Sequence, residues 1–320
     1  MNSQRPIATA TGRLAPTPSG GLHLGNARTF LIAWLSARAA GGRIVLRVDD
    51  LDRPRVKPGF VEQAVADLRW LGLEWDGEPL FQSRRGSDYA AALEKLRADG
   101  FVYPCVCSRR EIEIAARAPH EGEEGPVYPG TCRGKFRDAD DARRRAGRAP
   151  CWRFAVDHSN SRVEFDDALH GRCGFDAARQ LGDFVVFRSD DIAAYQLATV
   201  VDDHAQGVTE VVRGDDLVTS TPRQLMLYHA LGLTPPRFFH VPLVLDAAGH
   251  RMAKRRDSTR LAALREAGVS TAQVVGALAA SCGWAAPGER VMPAQLIPRF
   301  DLSKLPRQPV RLDLADQPGA

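Results

Sequence analysis

The sequence predicts an α/β protein built around a parallel sheet, and two observations carry this prediction. Residues 7–15 have the pattern of a strand, and a turn rich in proline and glycine follows them. The turn opens a helix that ends at Gly41-Gly42, and residues 43–49 then alternate polar and apolar side chains as a second strand does. Strand, turn, helix and strand in this order form the opening unit of a parallel α/β sheet.

The later elements follow from apolar residues at helical or strand spacing. Asn26 is expected to cap the first helix, and Thr221-Pro222 has the composition of a helix start. The tail from Trp284 is rich in proline and is expected to be irregular. Helices are predicted at about 26–40, 59–71, 88–98, 195–205, 221–232, 258–267 and 270–282. Further strands are predicted as two short ones within 153–165, at 183–188, where the main sheet is expected to resume, and at 208–212 and 240–245.

Composition narrows the class of protein. The chain has 320 residues, of which 44% are apolar and 26% charged, as in folded soluble proteins. Its net charge of +4 is compatible with a nucleic-acid partner and is weak evidence for one. No apolar run could span a bilayer, and residues 1–12 lack the apolar core of a secretory signal. We therefore expect a cytoplasmic protein without a membrane partner.

The first motif that carries chemistry is His23-Leu24-Gly25-Asn26, at the predicted start of the first helix. Backbone N–H groups at a helix N-terminus bind phosphates, and glycine lets the backbone approach them closely. His23 can donate a hydrogen bond to a phosphate oxygen as charge builds up. Alone, the tetrapeptide would fit an ordinary turn with a surface histidine. The preceding Arg-x-x-Pro-x-Pro-x-Gly, which begins at Arg13, favours a nucleotide site.

The second motif is the basic stretch Arg251-Met252-Ala253-Lys254-Arg255. Alone it would be interpreted as a solvated loop. After the first motif, it indicates a loop that closes over phosphates.

Together the motifs resemble the two signatures of the class I aminoacyl-tRNA synthetases, in the form used by the glutamyl and glutaminyl branch. The resemblance implies a Rossmann-like catalytic domain that uses ATP with Mg²⁺. It implies that His23 and Lys254 act on the phosphates, with Gly25 and Asn26 in the ATP site. The second signature departs from Lys-Met-Ser-Lys-Ser at Arg251 and Ala253. Whether the lost serine hydroxyl lowers activity stays open.

The same resemblance implies a glutamate pocket. Arginine suits a carboxylate because its guanidinium fork reaches both oxygens, and Arg213 would bind the side-chain group. Asp49 matches an acidic position that holds the ammonium, where the family usually has the longer glutamate. Tyr195 matches a pocket tyrosine. The rest of the pocket would be Arg13, Leu14, Ala15, Pro16 and Thr17. As alternatives, Arg213 could pair on the surface with Asp215 or Asp216, and Tyr195 could belong to the core.

Three of the six cysteines cluster as Cys105-x-Cys107 and Tyr128-x-x-x-Cys132. Zinc prefers four ligands in a tetrahedron, and reduced unrelated thiols are the alternative. This pattern is similar to that of the glutamyl-queuosine tRNA(Asp) synthetases, which implies a structural zinc with Tyr128 as fourth ligand. His120 remains another candidate. The remaining thiols, expected to be ordinary, are Cys151, Cys173 and Cys282.

The resemblance also implies the partners. Ordinary glutamyl-tRNA synthetases continue beyond the second signature into anticodon-binding domains, for which residues 255–320 leave no room. The shortened paralogue activates L-glutamate with ATP without needing tRNA. It then transfers glutamate to queuosine in the anticodon of tRNA(Asp), and we expect it to be a monomer.

Four segments are expected on this basis. The halves of the catalytic domain would be 1–102 and 173–250, the zinc-bearing insertion 103–172, and the basic loop with a short helical region 251–320.

Three other functions stay open at this point. A truncated glutamyl-tRNA synthetase would charge a 3′ end, and the zinc pattern and short C-terminal region argue against it. A small-molecule adenylyltransferase would lack the carboxylate-binding pair Arg13 and Arg213. A non-catalytic tRNA-binding paralogue would explain the departures at Asp49 and Ala253.

Overall fold

The computed structural model describes residues 9–52, 56–115, 127–246, 249–250, 252, 260–312 and 314. Short strands alternate with helices along the chain. The strands are β1 (Thr11–Leu14), β2 (Arg43–Val48), β3 (Leu80–Phe81), β4 (Val102–Cys105), β5 (Cys151–Phe154), β6 (Arg162–Asp167), β7 (Gly171–Asp176), β8 (Phe184–Phe187), β9 (Glu210–Gly214), β10 (Arg237–Val241), β11 (Val244–Leu245) and β12 (Val310–Arg311). The helices are α1 (Leu24–Ala39), α2 (Phe60–Trp70), α3 (Gly86–Ala98), α4 (Arg109–Ala115), α5 (Ala139–Ala146), α6 (Ala177–Gln180), α7 (Tyr195–Ala205), α8 (Ser220–Leu231), α9 (Leu261–Glu266), α10 (Thr271–Ala280) and α11 (Pro293–Leu296).

Two sheets meet side by side at the centre of the molecule. One is parallel with the strand order β1-β2-β3, and the other has the order β7-β6-β10-β9, with β6, β10 and β9 parallel. The N–H of Thr209, just before β9, donates to the carbonyl of Thr11 in β1 at 2.9 Å. The strand order reverses between β1 and β9, which makes this a topological switch point. Open α/β sheets bind ligands in the crevice at the carboxyl ends of the strands at such a point.

Helix α1 holds this crevice in place because it packs on both β1 and β9. Its side chains Leu31, Ile32 and Leu35 are buried in the same hydrophobic cluster as Ile44 and Leu46 of β2. Each such side chain contributes about 1.5–3 kcal/mol by leaving water. The residues at the start of α1 are therefore fixed relative to the strand ends.

A separate antiparallel sheet has the order β4-β5-β8. We predicted a strand at 183–188 as the return to the main sheet, and this placement is wrong because β8 pairs with β5. The ring of Phe184 stacks on Phe154, which stacks in turn on Phe101. An apolar run indicates a strand, but it does not say which strand lies next to it.

The division into four segments stays a prediction. The limit between residues 102 and 103 falls within β4, and the limit between 172 and 173 cuts the hairpin of β6 and β7. The proline-rich tail is not irregular throughout, since it forms α11 and then β12, which pairs with β11. Within the described part of the chain, none of the helices has both the length and the apolar character needed to cross a membrane.

Candidate active site

A cavity of about 610 Å³ opens at the carboxyl ends of β1, β2 and β9. It brings together residues that lie far apart in the sequence. Leu14 is not among its lining residues, since its side chain is completely buried in the core. The predicted site residues that line the cavity are Arg13, Ala15, Pro16, Thr17, His23, Gly25, Asn26, Asp49, Tyr195 and Arg213.

His23 directly precedes α1 and caps it. Its Nδ1 accepts from the backbone N–H groups of Gly25, at 3.1 Å, and Asn26, at 3.4 Å. The predicted cap, Asn26, instead accepts with its side chain from the N–H of His23, because it lies one turn inside the helix. A Cβ on Gly25 would lie 3.0 Å from the His23 ring, so a glycine at this position leaves room for the ring. Since Nδ1 accepts, a neutral His23 carries its proton on Nε2 and can donate from there.

Both ends of the basic loop lie beside this turn. Met252 lines the cavity, and Arg260 forms a β-bridge with His23. The N–H of Leu261 donates to the carbonyl of Leu22 at 2.9 Å. Lys254 itself, like Arg251, Ala253 and Arg255, lies outside the described residues.

Arg47, which the sequence did not single out, also lines the cavity. Its Nε donates to Asp49 at 2.6 Å and its Nη1 to Asp203 at 2.5 Å. Asp203 also lies 3.5 Å from the Nε of Arg13, whose Nη1 donates to the Val212 carbonyl. Burial alone would lower the pKa of Arg47, but the carboxylates of Asp49 and Asp203 outweigh it and raise that pKa. Arg47 is thus a charge with its counter-ions already in place.

Arg213 lies at the end of β9 and is only 4% exposed. Its Nε donates to His240, its Nη1 to Gln224 and its Nη2 to Thr221, at 3.0, 2.8 and 2.7 Å. No carboxylate among the described residues forms an ion pair with it, which excludes the alternative of a surface pair with Asp215 or Asp216. Burial lowers the pKa of Arg213, although the hydroxyl of Tyr195 opposes this.

Tyr195, at the first position of α7, is 40% exposed and lines the cavity, so it is not a core residue. The sequence did not predict the partners of Arg213, because they lie on α8 and β10 and not next to it in the chain. Thr221 lies in the first turn of α8, which begins at Ser220, and its hydroxyl serves Arg213 instead of capping the helix. One sequence signal was available: His240 is a polar residue inside the apolar strand β10.

The predicted metal ligands converge in a buried cluster of their own. The sulfur atoms of Cys105, Cys107 and Cys132 lie within 4.8 Å of one another. The Tyr128 hydroxyl lies 3.3 Å from the sulfur of Cys105 and 3.5 Å from that of Cys107. Tetrahedral zinc with Zn–S bonds of about 2.3 Å separates its sulfur ligands by about 3.8 Å. The four side chains therefore fit such an ion, and His120 lies outside the described residues.

Cys151 lies next to this cluster, although its spacing in the sequence did not indicate this. It faces Cys105 across the pair of β4 and β5, and its thiol is the largest cause that lowers the pKa of Cys105. Arg153 donates to the Cys105 sulfur at 3.3 Å and covers the ring of Tyr128. These contacts favour a thiolate at Cys105, the form that binds metals.

The chain belongs to the class I tRNA synthetases for glutamate and glutamine: residues 9–305 match the model of "tRNA synthetases class I (E and Q), catalytic domain". Members of this class are ATP-dependent ligases, and the resemblance inferred from the two signatures is thereby confirmed. The chain is 50% identical over 310 residues to a protein of Symbiobacterium thermophilum named glutamyl-Q tRNA(Asp) synthetase, covering 94% of this chain and 95% of that one. It is 47% identical to a protein of the same name from Rhodopirellula baltica, covering 96% and 98% of the two chains.

Solved structures agree with this fold. A glutamate-tRNA synthetase from Elizabethkingia anophelis superposes with a TM-score of 0.80 at 25% identity, over 96% of this chain and 68% of that one. A glutamate tRNA ligase from Elizabethkingia meningosepticum, solved with its amino acid, gives a TM-score of 0.80 at 24% identity over 95% and 67%. The predicted Rossmann-like class I catalytic fold is confirmed.

Proposed function

We propose that this chain activates L-glutamate with ATP and then transfers it to queuosine in tRNA(Asp). The observation that carries the proposal is the buried guanidinium of Arg213, which lines the cavity and donates to neutral hydrogen-bond partners. Such a charge is costly to bury and favours a ligand that brings a carboxylate. The named relatives, similar over nearly their whole length, support the choice of acceptor.

Glutamate would bind with its side-chain carboxylate on Arg213. Three of the five N–H groups of this guanidinium are engaged by His240, Gln224 and Thr221, so two remain for the substrate and Tyr195. Asp49 would hold the ammonium while Arg47 keeps its carboxylate oriented. Arg13, which lies in β1, would contact a substrate carboxylate.

ATP would lie along the turn before α1. The Nε2–H of His23 would donate to a phosphate oxygen, and Gly25 and Asn26 would border the nucleotide. Met252 and Arg260, at the ends of the basic loop, lie beside this turn, and Lys254 of that loop would act on the same phosphates. Mg²⁺ would enter with ATP and offset phosphate charge.

The reaction then has two steps. The α-carboxylate of glutamate attacks the α-phosphorus of ATP, which gives glutamyl-adenylate and pyrophosphate. A hydroxyl of queuosine next attacks the activated carbonyl and releases AMP. The side chains of the cavity act by orientation and by stabilising charge, which are the main sources of catalysis in such reactions.

A structural zinc ion is the second part of the proposal. Its ligands would be Cys105, Cys107, Tyr128 and Cys132, whose donor atoms already lie together. A bound zinc would tie the segment after β4 to the residues before α5. We expect Cys105→Ser to lose zinc and Cys173→Ser, the matched control outside the cluster, to keep one equivalent.

The identity of the fourth ligand can be tested separately. Tyr128→Phe keeps the ring beneath Arg153 and removes only the oxygen. We expect the zinc affinity, measured by competition with a chromogenic chelator, to fall by at least about tenfold. Unchanged affinity would remove Tyr128 from the site and leave His120 as the candidate.

The acceptor is tested with labelled glutamate, ATP, Mg²⁺ and three RNAs: tRNA(Asp) with queuosine, tRNA(Asp) without it, and tRNA(Glu). We expect label only on the first. Label on tRNA(Glu) would instead indicate a charging enzyme, and activation with label on no RNA would indicate a small acceptor.

A further inference from the structure

A chain of hydrogen bonds runs from Arg213 away from the cavity. The Nε of Arg213 donates to His240 Nε2 at 3.0 Å, and His240 Nδ1 lies 2.7 Å from Asp167 Oδ2. All three side chains are buried. They come from β9, β10 and the end of β6, so the chain crosses three neighbouring strands.

The proton positions along this chain follow from chemistry. The Nε of an arginine is always a donor, so His240 Nε2 must accept. The proton of a neutral His240 is therefore on Nδ1 and is donated to Asp167. Burial lowers the pKa of His240, which keeps the ring neutral, and the charge of Arg213 acts in the same direction.

Asp167 is itself fixed from several sides. Its Oδ1 accepts from the N–H groups of Leu169 and His170, at 2.9 and 3.0 Å, and its Oδ2 accepts from the N–H of His240 at 3.0 Å. Burial alone would raise the pKa of Asp167, but the hydrogen bonds from His240 and the two backbone groups lower it. The carboxylate is thus ionised and immobile, and it reaches Arg213 only through the imidazole.

We propose that His240 and Asp167 are positioning residues, which fix the tautomer of the imidazole and so the direction of the Arg213 fork toward the substrate carboxylate. This inference rests on the proposed function of Arg213. An aspartate in direct contact with Arg213 would fill the fork and compete with glutamate. Placing the aspartate behind a histidine orients the guanidinium and leaves two N–H groups for the ligand and Tyr195.

The matched variants His240→Gln and His240→Asn test this inference. A glutamine amide reaches the place of Nε2 and can still accept from Arg213, whereas an asparagine amide reaches only the place of Nδ1. We expect His240→Asn to raise the KM for glutamate by about 10- to 100-fold and His240→Gln to change it by less than about threefold. The KM for ATP should stay unchanged in both variants.

Equal effects of the two substitutions on the KM for glutamate, or a parallel rise in the KM for ATP, would overturn the inference. Absence of glutamate-dependent pyrophosphate exchange in the unsubstituted chain would overturn the proposed function as well, so the two failures are distinguishable. A second measurement needs no substitution: ¹⁵N NMR of the histidine side chains at neutral pH. We expect one protected imidazole with its proton on Nδ1, and a proton on Nε2 of His240 would contradict the inference.

Discussion

Arg47 and Arg213 lie in the same cavity and are both almost completely buried, yet their charges are balanced in opposite ways. Arg47 contacts the carboxylates of Asp49 and Asp203, whereas Arg213 contacts a histidine, an amide and a hydroxyl. A buried ion pair that loses one partner destabilises a protein, because the other charge stays behind unpaired. Arg47 therefore serves the fold, while Arg213 retains an electrostatic cost that a ligand can relieve.

The two arginines should differ most in what their loss does to activity. Arg213→Met should lower kcat/KM for glutamate activation by at least about a thousandfold, because the substrate carboxylate would be left unpaired. Glutamate-dependent exchange of pyrophosphate with ATP measures this. Arg237→Met, on the exposed start of β10, is the control and should keep full activity. A loss of less than tenfold in Arg213→Met would mean that the carboxylate binds elsewhere.

For stability we expect the opposite order: the loss of Arg47 should matter more than the loss of Arg213. Arg47→Met should lower the free energy of unfolding by about 3–5 kcal/mol, because Asp49 and Asp203 lose their common partner. Arg213→Met should lower it by less, about 1–2 kcal/mol, because it leaves neutral hydrogen-bond partners behind and no unpaired carboxylate. Urea denaturation without ligands gives both values. Equal destabilisation would end the distinction between the two arginines.

The third effect concerns stabilisation by the ligand. Glutamate at a hundred times its Kd should stabilise the unsubstituted protein by about 2.7 kcal/mol. Arg213→Met should show no such gain, and the melting temperature with and without glutamate is the readout. A gain that survives in Arg213→Met would argue against a role for Arg213 in binding.

The smallest effect sharpens the role of Asp49, which contacts Arg47 and also lines the cavity. Asp49 would bind two groups, the substrate ammonium and the Arg47 guanidinium. Asp49→Asn should then raise the KM for glutamate about tenfold with kcat unchanged. An unchanged KM together with lower stability would make Asp49 a counter-ion of Arg47 alone.

Much of this site could be predicted from the sequence, because its residues lie in short motifs at strand ends. The turn from Arg13 to Asn26 is recognisable as a motif in the sequence. Arg213 was assigned to the site through the family resemblance. The partners that distinguish Arg213 from Arg47 could not be predicted in this way. Asp167, Asp203 and His240 contact the arginines across strands and helices distant in the sequence, and no local pattern specifies such pairs.

The fold shows the same limit. Helix α1 was predicted because its apolar residues and glycine end are local signals. The neighbour of β8 was not, because pairing depends on the rings of Phe154 and Phe184 meeting in three dimensions. Likewise, the thiol of Cys151 lies opposite Cys105 only through the register of β4 and β5.

Pyrophosphate exchange by the unsubstituted protein, measured with glutamate and with glutamine, shows directly whether Arg213 selects a carboxylate. Glutamine replaces the side-chain carboxylate by a neutral amide of nearly the same shape. If Arg213 awaits a carboxylate, glutamate should be favoured by at least about a thousandfold in kcat/KM. Comparable rates with the two amino acids would contradict the claim that the uncompensated charge of Arg213 selects the substrate.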